Sequence, residues 1–356
     1  MREELERRGH RVTMFNPYTL RSERLARSID NAYIRVAQRV PRLFGGIYRA
    51  AELYERTGVK SPVYALNGLM ADRMAAYLAA NPCDVIVMPH FFPAQMLMHL
   101  RRRGVPVPPT LLIATDYTCV PLEAEAECDA YVIPAADLQE EFIAHGLPAD
   151  RLHPLGIPVR RAFQRPADRA RAREQLGLPP QGRHILLAGG SIGAGALEKA
   201  LAVIEACCGD DPALRCTALC GNNAALLRRL QARYGHDERL RLLSSTDQMP
   251  AYLHASDLFI SKPGGLSSTE AAVAGVPLIH MTPIPGCETR NMDYFSQRGM
   301  SIAVRNVAQE LPAALARLED AQACARMRSC QQHISPHAAS DAADLAESLA
   351  RSAPSA

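Results

Sequence analysis

The sequence predicts an α/β protein of two doubly wound halves, and three observations carry that prediction. Short apolar runs alternate with helical patterns along most of the chain, and many of the runs end in glycine-containing turns. The length, 356 residues, exceeds what one hydrophobic core usually supports. Two domains are therefore expected, over residues 1–160 and 161–335, with a C-terminal helical segment at 336–356.

Composition narrows the class. Hydrophobic residues make up 48%, ample for two cores, while no apolar run reaches the roughly 18 residues needed to span a bilayer. The opening Met-Arg-Glu-Glu-Leu-Glu has no signal-peptide pattern. Ten cysteines are scattered, and Cys216 with Cys220 has no second pair behind it. Reduced thiols in a cytosolic protein are the expected reading, with no metal site. A net charge of +3 and the lack of any legible recognition module argue against nucleic acid as a partner.

In chain order, residues 2–8 read as the end of a charged helix, Gly9 as its stop and His10 to Phe15 as a strand. A doubly wound half normally starts one strand earlier, with a glycine-rich turn. Neither is legible, so the first domain is expected to lack its N-terminal strand and loop, and His10 reads as a strand-entry residue. Residues 17–60 hold nine basic against four acidic side chains, a local +5, with Tyr18, Tyr33, Phe44, Tyr48 and Tyr54 interleaved. Two readings fit: a solvated helical hairpin with its aromatics inward, or a face for an anionic membrane surface.

Three strands follow, at Asp84 to Met88, Leu111 to Ala114 and Ala130 to Ile133. The first two end at His90 and at Thr115-Asp116. Ligands of open α/β sheets collect at such strand ends, so His90 and Asp116 are candidate general bases, or else caps on the helices that follow.

Gly156-Ile157-Pro158 opens a hinge, and the second domain begins with His184 to Ala188 and the turn Gly189-Gly190-Ser191-Ile192-Gly193-Ala194-Gly195. This is not a Walker loop, because no Gly-Lys-Ser/Thr follows. Strands are expected at Arg215 to Leu219, Leu240 to Leu243, Asp257 to Ser261, Val276 to Met281 and Ser301 to Val304. After Ser261 the chain reads Lys262-Pro263-Gly264-Gly265-Leu266-Ser267-Ser268-Thr269-Glu270, a glycine turn opening a helix. Glycines let backbone approach a ligand, and a helix's first turn offers free N–H groups to an anion, so Gly264 to Ser268 reads as a phosphate seat. Glu270 then faces the same site, ready to accept both hydroxyls of a ribose. The alternative is a plain capping box, with Ser267 as N-cap and Glu270 as its partner.

Five ordered stretches carry a family resemblance: GGSIGAG at 189–195, CGNN at 220–223, SKPGGLSSTEA at 261–271, GVP at 275–277 and PIPGCETRN at 283–291. With these marks the chain resembles processive diacylglycerol glucosyltransferases and monogalactosyldiacylglycerol synthases of glycosyltransferase family 28, and more distantly the lipid II N-acetylglucosaminyltransferase. The resemblance implies two Rossmann-like domains facing a cleft, the GT-B arrangement, with the final helix returning to the first domain. It implies inverting, metal-independent transfer of a hexose from a UDP-sugar to a lipid hydroxyl such as that of diacylglycerol, at the inner face of the cell membrane, with no cofactor. The diphosphate is assigned to Gly190, Ser191 and the Gly264 to Ser268 turn, the uracil to the Thr246 backbone, the ribose to Glu270, and the donor sugar to Glu288 and Asn291. Relatives have Gln where this chain has Cys287, and a histidine-bearing N-terminal loop that this chain does not match. Cys119-Val120-Pro121 also departs from the family after Thr115-Asp116. Three alternatives stand beside this: a lipid II-type N-acetylglucosaminyltransferase, a nucleotide-sugar epimerase, and a donor-binding protein without activity.

Overall fold

The computed structural model describes residues 1–28, 41–55, 57–164, 168–190, 193 and 196–352. They divide into two compact units: one gathers described residues of 1–36, 42–160 and 337–356, the other those of 37–41 and 161–336.

The first unit is built on a parallel sheet of β1 (Ile86–Met88), β2 (Thr110–Ile113), β3 (Ala130–Val132) and β4 (Leu152–His153), in that order. Leu111, Ile113, Ala130 and Val132 on this sheet pack with Ala342 and Ala346 of the helix Ala338–Ser352, so the end of the chain covers one face of the first unit. The first helix, Arg2–Arg7, leads to the same place: Arg8 Nη1 reaches Asp344 Oδ1 at 2.5 Å and Glu347 Oε1 at 3.1 Å.

The expected strand at His10 to Phe15 does not form. Those residues are irregular, Met14 is 69% exposed, and no strand among the described residues pairs with them. Apolar alternation supplies propensity, but a strand exists only where a neighbour takes its N–H and C=O groups. Conversely, β4 has two residues and carries no periodicity to read; pairing of Tyr131 with Leu152 and Val132 with His153 defines it.

The second unit holds a six-stranded parallel sheet: β5 (His184–Ala188), β6 (Arg215–Leu219), β7 (Leu240–Leu243), β8 (Leu258–Ser261), β9 (Leu278–Met281) and β10 (Ile302–Val304). Their spatial order is β10-β9-β8-β5-β6-β7. Burial on both faces explains why β5, β8 and β9 read as continuous apolar runs. The chain winds one way from β5 and then the other from β8, so the reversal falls between these two strands. Open sheets bind ligands outside the carboxyl ends of the strands at such a reversal.

Two histidines lie inside this sheet with both ring nitrogens engaged. His184 meets Ser256 Oγ and Thr217 Oγ1, each at 3.0 Å, and His280 meets Ser268 Oγ at 2.9 Å and Ser301 Oγ at 3.1 Å. Burial pushes their pKa values down, to about 4 for His184 and about 3 for His280, so both are neutral.

Candidate functional site

β5 and β8 are neighbours with Ala188 opposite Ser261, so the glycine-rich turns that follow them start side by side. The first turn is shaped by left-handed glycines. At Gly193 (φ +57°) a Cβ would stand 1.9 Å from the carbonyl oxygen of Cys220, and Asn223 Nδ2 donates to the Gly193 carbonyl at 3.1 Å. Asn223 also caps the helix Ala224–Tyr234 by accepting from the Leu226 N–H at 3.0 Å. The CGNN stretch is thus the brace of the first turn. Ser191 lies outside the described residues.

The second turn starts its helix earlier than a Ser267 cap requires. Gly264 is the N-cap, with extended φ −72° and ψ 137°, and the helix runs Gly265–Ala274. Ser267 is its third residue, so the capping-box alternative fails on geometry. The N–H groups of Gly265, Leu266 and Ser267 lead this helix and have no carbonyl of the preceding turn to meet, which leaves donors and partial positive charge for an anion. Ser268 faces the other way. Its N–H donates to the Gly264 carbonyl at 3.0 Å and its buried hydroxyl lies against His280, tying the turn to β9. Leu266 is 49% exposed, and Glu270, the sixth residue of the helix, is half-buried.

PIPGCETRN folds against this turn. Gly286, at φ 122°, opens the helix Cys287–Gln297. Asn291 is fully buried and its Nδ2 donates to the Pro263 carbonyl at 3.0 Å. One oxygen of Glu288 accepts from Lys262 Nζ at 2.7 Å and the other from the Ile284 N–H at 2.8 Å. Lys262 escaped the sequence reading, although SKPGG places it beside the glycines. The Lys262 side chain lies over Gly190 (φ +71°), where a Cβ would stand 2.9 Å from its Cε. Gly190, Lys262, Gly264, Glu288 and Asn291 therefore share one locality. Thr246, in the segment after β7, accepts the Gln248 N–H on its hydroxyl at 3.0 Å.

The first unit carries the other two candidates. His90 is the N-cap of the helix Phe91–Arg102: its Nδ1 accepts the Phe92 N–H at 3.2 Å, which assigns the ring proton to Nε2. The rings of Phe91 and Phe92 lie 4.8 and 4.3 Å from its own, and desolvation by the surrounding protein pushes its pKa down to about 4. A lone pair spent on a cap leaves His90 poorly placed to remove a proton.

Asp116 is half-buried in the loop after β2. Carboxylates from three places hold this loop. Glu141 takes the Thr118 hydroxyl and the Cys119 N–H (3.0 Å), Glu123 the Val120 N–H (3.1 Å), and Glu55 the Leu122 N–H (3.0 Å). Glu55 also meets His145 Nδ1 at 2.8 Å, and Leu122 sits in the left-handed region at φ 71°. Burial, with a smaller contribution from Asp116, pushes Glu123 up to about 7. Nothing in the sequence marks this set, because its members are far apart in the chain and carry no motif.

Comparison with known proteins follows the same division. Residues 2–159 match the monogalactosyldiacylglycerol (MGDG) synthase family, and residues 184–348 match the glycosyltransferase family 28 C-terminal domain. A processive diacylglycerol β-glucosyltransferase of Bacillus subtilis (strain 168) is 26% identical over 257 residues, 72% of this chain and 66% of that protein. This chain thus spans just under two thirds of that relative's length. Among solved structures, MurG of Acinetobacter baumannii is similar with a TM-score of 0.55 at 18% identity, covering 79% of this chain and 78% of that one. A UDP-GlcNAc 2-epimerase of Neisseria meningitidis, bound to UDP-GlcNAc, is similar with a TM-score of 0.61 at 12% identity, covering 80% of this chain and 82% of that one. At such identities the structural likeness shows the fold: two parallel-sheet α/β domains of the GT-B kind.

Proposed function

This chain joins an MGDG synthase-type half to a glycosyltransferase family 28 C-terminal half, and from that premise we propose that it transfers a hexose from a UDP-sugar to a membrane lipid hydroxyl such as that of diacylglycerol. The observation that carries the donor side is the register of β5 with β8, which sets two glycine-rich turns and a helix N-terminus side by side.

In this reading the diphosphate lies against the N–H groups of Gly265, Leu266 and Ser267 and the Gly190–Ser191 turn. Glu270 accepts the ribose hydroxyls and the Thr246 backbone meets the uracil, while Glu288 and Asn291, expected at the sugar, brace the seat instead through Lys262 Nζ and the Pro263 carbonyl. An acceptor oxygen forms a bond to the anomeric carbon with inversion while the bond to the β-phosphate oxygen breaks, its electron pair leaving with UDP. The acceptor proton goes to Asp116. Aligned backbone donors, not a metal ion, offset the growing negative charge. Among the described residues no helix is long and apolar enough to cross a membrane. Ile47 (56% exposed), Leu53 (67%) and Val59 (61%) in the basic 17–60 region support adsorption to an anionic bilayer at the inner face of the cell membrane.

A transfer assay tests the proposal: UDP-glucose or UDP-galactose, mixed vesicles of diacylglycerol and anionic lipid, and chelator throughout. Glycolipid formation that depends on diacylglycerol is expected. Transfer only to a lipid II-type acceptor, or turnover of a UDP-sugar with no acceptor, overturns it. The second outcome is the epimerase reading, which the likeness to UDP-GlcNAc 2-epimerase keeps in view.

A further inference from the structure

Lys262 is only 7% exposed, yet among the described residues Glu288 is its one ion-pair partner. Glu288 is itself fixed, because its second oxygen holds the Ile284 N–H at 2.8 Å. The side chain crosses Gly190, with Nζ 3.4 Å from where a Cβ of that residue would stand. The side chain thus starts in the turn after β8 and carries its ammonium to a place beside the turn after β5. It has three donors and one carboxylate, in a place where burying a charge is costly unless further partners arrive.

We infer that Lys262 is the cation that meets the diphosphate of the donor, and that Glu288 is a positioning residue that aims it. The inference rests on the donor-site reading above. As the bond from the anomeric carbon to the β-phosphate oxygen breaks, the electron pair stays on that oxygen, and the ammonium offsets the added charge while keeping all its protons. Gly190 is glycine both for its left-handed backbone and because any Cβ there would displace the lysine.

Calorimetric titration with UDP and with uridine separates this role from a structural one, since uridine has the base and ribose but no phosphate. Lys262→Met should lower UDP affinity about 10- to 100-fold, the range for hydrogen bonds between charged groups, and leave uridine affinity unchanged. Lys262→Arg should keep most UDP binding. Met at 262 strands the Glu288 carboxylate, so the double variant Lys262→Met/Glu288→Gln guards the fold and should show the same selective loss. Wild-type UDP affinity in either folded Met variant, or an equal loss of UDP and uridine, overturns the inference. If the wild-type chain binds neither UDP nor uridine, the donor-site reading falls and the inference with it.

Discussion

The loop after β2 and the turn after β8 both leave the carboxyl end of a buried parallel strand, and they are held in opposite ways. Backbone geometry shapes the turn after β8, through a glycine N-cap and first-turn N–H groups, and the helix Cys287–Gln297 braces it, with Glu288 on Lys262 and Asn291 on the Pro263 carbonyl. The loop after β2 has a left-handed leucine and hangs on Glu55, Glu123 and Glu141, which come from elsewhere in the fold or loop. A site for a fixed anion needs donors held still, which glycine turns supply locally. The loop bearing Asp116 hangs on carboxyl groups, and one of them, Glu123, is pushed up to about 7 by burial, so its setting responds to protonation there.

The sharpest way to break the local half of that contrast is Gly193→Val. The substitution puts a side chain into the Cys220 carbonyl and forces a β-branched residue to a positive φ. A loss of about 3 to 5 kcal/mol is expected from overpacking and left-handed strain together, with UDP binding abolished in whatever remains folded. Thermal melting and titration would read both. Unchanged melting would mean that the turn does not rest on the Cys220–Asn223 brace.

Acid should weaken the second unit. His184 and His280 are held near pKa 4 and 3, below the ordinary 6.5, so the unfolded chain binds more protons below pH 6.5. Stability is complete above pH 6.5 and declines as pH falls toward about 4. At pH 5 each histidine should cost about 2 kcal/mol. Melts from pH 7.5 to 5 check this, and His280→Gln should flatten the curve.

Glu123 gives the first unit the opposite sign. Its pKa is raised from 4.5 to about 7, so the folded state keeps a proton that the unfolded state has lost. Its contribution is whole below pH 4.5 and disappears as pH rises through 7. Glu123→Gln retains an acceptor for the Val120 N–H without the charge, so it should match wild type at pH 5 and exceed it by about 1 to 3 kcal/mol at pH 8. A variant weaker than wild type at pH 8 would show that the ionised carboxylate is what holds the loop.

The smallest effect is expected from Ser268→Ala. It removes one buried partner of His280 and should cost about 1 kcal/mol, with UDP affinity unchanged because the hydroxyl faces β9. A fall in UDP binding larger than the fall in stability would return Ser268 to the phosphate seat.

Much of this was legible in the residues themselves. The six strands of the second unit and three of the four in the first could be read, because a buried parallel strand must be apolar on both faces and end at a turn. The turn after β5 could be read from its glycines, because Gly190 and Gly193 take left-handed backbone angles and stand where a Cβ would meet Lys262 or Cys220. Other features were settled by the folded chain alone. Alternation at His10 to Phe15 resembles a strand, but no neighbour takes its hydrogen bonds; β4 is a strand only because β3 lies beside it. Sequence names Ser268 and Glu288 as polar residues near a glycine turn, while tertiary contacts turn one toward His280 and the other toward Lys262. Periodicity and backbone freedom are local and are written residue by residue; the direction of a side chain and the partner of a charge depend on what packs against them from far along the chain.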